Sequence, residues 1–419
     1  MSCLLLIVCV VCAALLLWEG GMRESLLFIA SRFPYPLVGG DRITNYNILR
    51  FLSRHYDVHF VAITHTPLER DALDSIAPFC KTCKVFYKSK YRSAFQSLLT
   101  LFGKEPLQVG YYYFHDVQHY AQEIVRTHKI QKLLCALVRT AKYANALPIP
   151  TKAINMADSL AHHYQHAIAN THSLIWKTIY KIEYKRLQRF ESQCVREFGA
   201  SLFFNHKEQQ MYEHLGNALL APHGVNPALF SMAYDDTRYK HTICFFGKMD
   251  YRPNIEAVRW FVKHAMPLLS ERINLIVLGA NPTKELTKLQ SARIHISGYV
   301  ENPYEILCSC LCVIAPMQSG AGIQNKILES MALGQIVLTN PLGANPIKEA
   351  RHNEHLLIAH SAQEFAHYIH DIAHNTQGYQ HLKANAKALV RAHYTWEAYG
   401  AVLQKALKSN TPTHKEALC

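Results

Sequence analysis

The stretch PMQSGAGIQNKILESMALGQIVLTN, Pro316 to Asn340, decides how the rest of the chain is read. An apolar segment, Leu311 to Ala315, runs into a turn carrying Gly320 and Gly322. A helix is expected from Gln324 to Gly334, and a second strand from Ile336 to Thr339. The pattern is one strand-turn-helix-strand unit of a parallel sheet. Its turn and first helical turn offer free backbone N–H groups and the positive end of a macrodipole, a setting that suits an anion. Lys326 stands in that first turn, where a cation is disfavoured by roughly 0.3 to 1 kcal/mol; a negative ligand in front of it would offset the cost. Glu329 lies three residues on and shares the helical face. Lysine on phosphate and carboxylate on ribose hydroxyls would together hold a nucleoside diphosphate. A surface lysine and glutamate on any Rossmann-like helix would give the same pattern.

The whole sequence bounds the possibilities. Its 419 residues suffice for two domains of about 150 to 200 residues, and 49% hydrophobic content supplies their cores. Forty-four Lys and Arg against 31 Asp and Glu leave a net charge of +13, which fits an anionic partner: nucleic acid, phospholipid head groups or a nucleotide. No RRM, KH, zinc-finger or helix-turn-helix signature is present, so nucleic acid is not the expected partner. Of the 12 cysteines, Cys80 and Cys83 form one C-x-x-C without the second pair of a zinc site. Cys308, Cys310 and Cys312 alternate at the start of an apolar strand and are expected to point mostly one way, as buried free thiols. The apolar run Cys3 to Trp18 admits three readings: a membrane anchor, an uncleaved signal-like segment, or an extension upstream of a start at Met22.

From Met22 the chain alternates strands and helices. Leu26 to Ala30 is a strand, and RFPYPLVGGDR follows with Gly39 and Gly40 before a helix from about Ile43 to His55. That loop is a weak phosphate signal, because its spacing is not GxGxxG. Val58 to Thr64, Ala153 to Met156, Leu202 to Phe204 and Asn217 to Ala221 are further strands. SAFQSLLTLFG, after Lys88, Lys90 and Arg92, is a short amphipathic helix. Leu174 to Phe190 is a longer one, with Ile175, Ile179, Ile182, Leu187 and Phe190 at helical spacing among Lys177, Lys181, Lys185, Arg186 and Arg189. It suits either an anionic membrane surface or an ordinary core face. Asp158 follows the strand at Ala153, where α/β proteins bind ligands; it is a candidate to accept from an acceptor hydroxyl or an N-cap of the next helix. Arg139, Thr140 and Tyr143 follow another apolar strand and are candidates for the same wall. Ile243 to Phe246, Leu275 to Leu278 and Ile294 to Ser297 are strands of a second domain, whose first helix opens near Pro253.

The segment from Gly320 resembles the donor-binding signature of family 4 glycosyltransferases with the GT-B fold, in particular bacterial exopolysaccharide sugar transferases carrying GIQNK-(I/V)-LE-(A/S)-MA. Gly322, Ile323, Gln324, Asn325, Lys326, Leu328, Glu329, Met331 and Ala332 match. FFGKMDYRPN at Phe245 to Asn254 and GYVENPYE at Gly298 to Glu305 extend the resemblance, and MADSL around Asp158 resembles a D-x-x-D-S segment with Asn155 for the first Asp. The resemblance implies an α/β fold of two Rossmann-like, doubly wound parallel-sheet domains facing a cleft, residues 22–230 for the acceptor and 231–390 for the nucleotide sugar, with 391–419 crossing back. It further implies that PLVGGDR faces the cleft, that Gly247, Lys248 or Arg252 and the Gly320–Gln324 turn meet the diphosphate, and that backbone around Gly298, Tyr299 and Val300 reads the base. PHGVNPALF, Pro222 to Phe230, resembles the crossing between the domains.

One departure matters. Such enzymes usually carry Glu-x7-Glu, and eight residues before Glu329 stands Ala321, so a sugar contact must come from the backbone of Gly320 to Gly322 or from another side chain. The expected activity is a hexosyltransferase-like, retaining transfer from a nucleotide diphosphate sugar to a lipid-linked or polysaccharide acceptor. It would need no metal and would work at the cytoplasmic face of a bacterial inner membrane, peripherally or with residues 1–21 as anchor. A catalytically silent membrane scaffold and a GT-B-fold epimerase or phosphorylase are the alternatives.

Overall fold

A computed structural model describes residues 23–409 apart from residues 38, 69, 102, 172 and 321. The hydrophobic segment 1–21 and Ala321 therefore lie outside the described residues. Seven strands, β1 (Ser25–Ala30), β2 (Asp57–Thr64), β3 (Thr82–Tyr87), β4 (Lys132–Ala136), β5 (Thr151–Ala157), β6 (Ala200–Phe203) and β7 (Ala218–Leu220), form one sheet in the order β3-β2-β1-β4-β5-β6-β7. Six more, β8 (Thr242–Phe246), β9 (Asn274–Leu278), β10 (Ile294–Gly298), β11 (Cys312–Ala315), β12 (Val337–Thr339) and β13 (Leu357–Ile358), form a second in the order β10-β9-β8-β11-β12-β13. The paired registers are parallel in both. Central strands such as β1 and β11 read as unbroken apolar runs because both their faces are covered, and Leu26 to Ala30 have no exposed surface.

In each sheet the strand order reverses beside its first strand, between β1 and β4 and between β8 and β11. The loops leaving the carboxyl ends of those strands are where doubly wound sheets hold ligands. By compactness the chain divides into two units: residues up to Asn155 with Arg196–Ala200 and Leu407 onward, and Met156–Val195 with Ser201–Ala406.

The helices that matter below are α1 (Gly40–Leu52), α2 (Lys90–Leu99), α3 (Leu160–Asn170), α4 (Leu174–Glu197), α5 (Arg252–His264), α6 (Asn325–Leu333) and α7 (Trp396–Ala406). α1 begins three residues earlier than expected, because Gly39 with φ 99° already turns the chain into it. α6 runs as the spacing predicts: Gln324 precedes it in extended conformation and Gly334 closes it with φ 75°. Ile327, Leu328 and Met331 on its inner face are wholly buried, each contributing about 1.5–3 kcal/mol relative to exposure. The returning helix α7 packs its Tyr399 near Phe204 and its Trp396 against His223, and Val225 bridges to Thr395. Among the described residues no helix is long and apolar enough to cross a membrane.

The cysteine trio does not share a strand. Cys308 sits in the helix Pro303–Ser309, Cys310 in the connection, and only Cys312 in β11; Cys310 and Cys312 are buried and Cys308 partly so. Gln335, 2% exposed, fastens the same corner: its Nε2 donates to the carbonyls of Leu307 (2.8 Å), Cys308 (3.2 Å) and Cys310 (2.8 Å), and its Oε1 accepts from Ile336 N (2.8 Å). Gln335→Leu would strand these backbone groups in an apolar setting, and chemical denaturation should find the variant less stable by roughly 2–4 kcal/mol.

Candidate active site

The loops after β8 and β11 meet at the switch point of the second sheet. Lys326 lies there, 8% exposed, at the start of α6. Its Nζ donates to Asn254 Oδ1 (2.7 Å) and Gln324 Oε1 (3.3 Å) and lies 5.3 Å from the centre of the Phe245 ring. The Asn254 amide is itself oriented, since its Nδ2 donates to the carbonyl of Lys248 (2.8 Å). Among the described residues no carboxylate comes within 4 Å of Nζ. Burial therefore lowers the lysine pKa to about 8, with the charge of Glu329 pulling it back up. Glu329, half-buried on the same face, is raised by burial to about 7, against the attraction of Lys326. Lys326 stands in the first turn, and Glu329 one turn on, of a helix whose partly buried tip has no side-chain cap.

Glycine geometry makes room beside them. A Cβ on Gly247 would come 2.7 Å from Asn254 Nδ2 and 3.4 Å from Lys326 Cε. On Gly322, with φ +79°, it would come 2.5 Å from Asp158 Oδ1; only a glycine lets that carboxylate approach. Gly320 faces Pro253 and Gln324 across the same turn.

Asp158 is not the helix cap that its position also allowed. Ser159 caps α3, its hydroxyl accepting from His162 N (3.1 Å). Two buried carboxylates take two further N–H groups there: Glu208 accepts from Ser159 N (2.7 Å) and Glu191 from Ala161 N (3.2 Å). Glu191 also takes hydrogen bonds from Ser159 Oγ (2.7 Å) and Tyr212 OH (2.6 Å), and Glu208 pairs with His162 Nδ1 (2.9 Å). Asp158 is left out of this network: its carboxyl is shut from solvent, and among the described residues the side chain of Asn205 is the hydrogen-bonding group that draws on it. Burial and then the charge of Glu208 raise the Asp158 carboxyl to about 7, while Asn205 and His162 draw it down. Ala157 before it is held at φ 59°, a conformation that costs a non-glycine residue of order 1 kcal/mol or more.

Other residues singled out by sequence sit elsewhere. Lys248 is exposed and pairs with Asp250 (3.4 Å); Arg252 turns to Glu256 (2.8 Å) and Glu285 (3.6 Å). Tyr143 is a core residue, its hydroxyl accepting from Phe114 N (2.9 Å) and donating to Tyr112 O (2.7 Å), so it lines no surface. Arg139 stacks over Tyr112 at 5.4 Å. Gly39 and Gly40 open α1 at the switch point of the first sheet. Gly298 has φ +70° with open space at its Cβ position, Tyr299 is 78% exposed, and Val300 and Ile323 rest against the core. Asn254, Asn205, Glu208 and His162 were missed. Asn254 ends a motif already in view, and Asn205-His-Lys-Glu208 has the spacing of a capping box.

Residues 240–375 match the family model described as "Glycosyl transferases group 1". With this domain and the paired sheets, the chain is a glycosyltransferase of the GT-B fold. Solved structures of the same fold include sucrose-phosphate synthase from Thermosynechococcus elongatus, with a TM-score of 0.67 and 14% identity over 91% of this chain and 98% of that one. Another is HepE from Anabaena in complex with UDP-glucose, with a TM-score of 0.64 and 14% identity over 92% of this chain and 100% of that one. WaaG, a glycosyltransferase involved in lipopolysaccharide biosynthesis, matches with a TM-score of 0.61 and 13% identity over 91% and 100%. Among curated proteins, an "Uncharacterized 44.6 kDa protein in cps region" of Klebsiella pneumoniae is 22% identical over 393 residues, 88% of this chain and 96% of that protein.

The raised carboxyl of Asp158 has a measurable sign. A carboxyl whose folded pKa exceeds its ordinary 3.8 favours folding at low pH and loses that contribution as pH rises to about 7. Asp158→Asn should therefore be more stable than the wild type by roughly 2–4 kcal/mol at pH 8, with the difference closing by pH 4, as read from denaturation curves across pH.

Proposed function

We propose that the chain transfers a sugar from a nucleotide diphosphate donor to a lipid-linked or polysaccharide acceptor at an anionic membrane surface, with retention of configuration. The observation that carries this reading is Lys326. Among the described residues the buried ammonium donates to two neutral amide oxygens and feels the Glu329 carboxyl without an ion pair; beside an uncapped helix tip, that is an excess of positive charge for which a pyrophosphate is the matching ligand. During transfer the leaving nucleotide diphosphate gains charge, and Lys326 with the helix dipole would offset it. Glu329, on the same face, suits the ribose hydroxyls. HepE in complex with UDP-glucose supports a nucleotide-sugar donor, and WaaG and the cps-region relative support a cell-surface glycan as product. The positive charge at the site is the ground for proposing a metal-independent reaction; among the described residues no group of three or more His, Cys, Asp or Glu is placed to hold a metal ion.

Membrane docking is supported by α4. Its carboxyl-terminal half buries Leu187, Cys194 and Val195, but its first turns expose Leu174 (80%), Ile175 (74%), Trp176 and Ile182 among Lys181 and Lys185. Apolar side chains left in water beside cations suit an anionic lipid surface. In the other unit α2 exposes Tyr91, Phe95, Leu98 and Leu99 behind Lys90 and Arg92.

Calorimetry with UDP, GDP and ADP should find one nucleotide bound, with or without EDTA, and Lys326→Ala should weaken it by roughly tenfold or more; failure of all three to bind the wild type would overturn the reading. Flotation with phosphatidylglycerol vesicles should fall at high salt and on Lys177→Glu/Lys181→Glu/Lys185→Glu. An unchanged, salt-insensitive partition would exclude electrostatic docking.

A further inference from the structure

We infer that His162 and His166, on one face of α3, form a two-histidine site for a late first-row divalent transition-metal ion such as Zn²⁺, with the buried carboxylate of Glu208 holding the first ligand. The inference is independent of the nucleotide-sugar reading and stands on three side chains of the second compact unit. Four residues apart, the two imidazoles lie on neighbouring turns of one helical face, the spacing at which zinc-binding helices carry a histidine pair. Their Nε2 atoms are 3.1 Å apart and their ring centres 4.6 Å apart. An ion about 2.0–2.1 Å from each nitrogen would meet that separation at an angle of about 95–100°, between the octahedral and tetrahedral values. The spacing of the two nitrogens need not change to admit it.

Glu208 decides which nitrogen of His162 is available. Its Oε2 accepts from Ser159 N (2.7 Å), which pins the carboxylate, and its Oε1 lies 2.9 Å from His162 Nδ1. The glutamate side chain has no exposed surface, so water does not compete for that contact. A carboxylate only accepts, which puts the proton on Nδ1 and leaves the lone pair of the neutral ring on Nε2, beside His166. A carboxylate behind the far nitrogen is the usual support of a metal-bound imidazole, fixing its tautomer and raising its basicity.

Charge and access point the same way. Around His162, Glu208 and Asp158 attract positive charge and Lys207 repels it. His166 is exposed and His162 half-buried, which gives an ion a way in from solvent. Two imidazoles favour Zn²⁺, Ni²⁺ or Cu²⁺ over Mg²⁺ or Ca²⁺, which take oxygen ligands. Water fills the positions that two protein ligands leave open, and the sugar transfer proposed above does not call on this ion. Bridging one turn of α3 would also stiffen the turn whose Tyr164 packs on Tyr180 of α4, ring centres 5.6 Å apart. The competing arrangement is a single proton shared between the two Nε2 atoms.

Calorimetric titration of ZnCl₂ into the untagged full chain, at about pH 7.5 so that imidazole is neutral, tests the site. Because the chain has 25 histidines, the site is read as the difference between the wild type and His166→Ala, a change at an exposed position. The wild type should bind one Zn²⁺ that His166→Ala weakens by about tenfold or more. Glu208→Gln keeps an acceptor oxygen but removes the charge, and should weaken the same Zn²⁺ by about 10- to 100-fold; should that chain fail to fold, the His166→Ala comparison decides alone. Co²⁺ should give a visible absorption band in the wild type that His166→Ala lacks, and MgCl₂ should not distinguish the two proteins. Equal zinc binding by wild type and His166→Ala, or no zinc bound by the wild type up to about 1 mM, would leave the pair sharing only a proton and overturn the site.

Discussion

The structure is organised around the confinement of one positive charge. Moving an ammonium out of water costs several kcal/mol even after relaxation, and the oxygens of Asn254 and Gln324 return only part of that, since neutral amides bind a cation less strongly than a carboxylate does. The fold tolerates the deficit because α6 is fixed independently, by Ile327, Leu328 and Met331 beneath it and Gly334 behind it. An anchored helix can keep an electrostatically incomplete tip.

Completeness elsewhere makes that incompleteness informative. Arg252 is closed off by Glu256 and Glu285, and Lys248 lies near Asp250. The start of α3 shows the same contrast. Two buried glutamates, a serine and a tyrosine satisfy one another there, while the aspartate one residue earlier stands outside that network. The surplus cation and that aspartate both belong to the second compact unit, and both adjoin glycines that admit no side chain.

The sequence made the fold class legible because the local signals agreed: apolar runs for buried parallel strands, a glycine turn, and helical spacing closed by Gly334. The turn and helix around Lys326 were legible for the same reason, since their signals lie within one short segment. What stayed hidden depends on distant partners. Nothing in GKMDYRPN says that Lys248 contributes its carbonyl to Asn254 and not its ammonium to a ligand, or that Arg252 will find a carboxylate 33 residues on, at Glu285. Tyr143 lost its expected place because a phenol that follows a strand can serve two backbone groups in the core as readily as it can line a surface. The apolar stripe of α4 was visible, yet helical spacing alone does not say which half of a 24-residue helix is covered.

Gln335 carries a last consequence, a chemical one. A single amide nitrogen there serves three carbonyls, so hydrolysis of that amide would replace the shared donor with a carboxylate facing them. Deamidation needs water at the carbonyl carbon, and the side chain is almost fully enclosed. Ageing at this corner is thus gated by how often β11 and β12 breathe apart, and the shelf life of the molecule becomes a readout of local opening in the sheet from which the Lys326 helix springs.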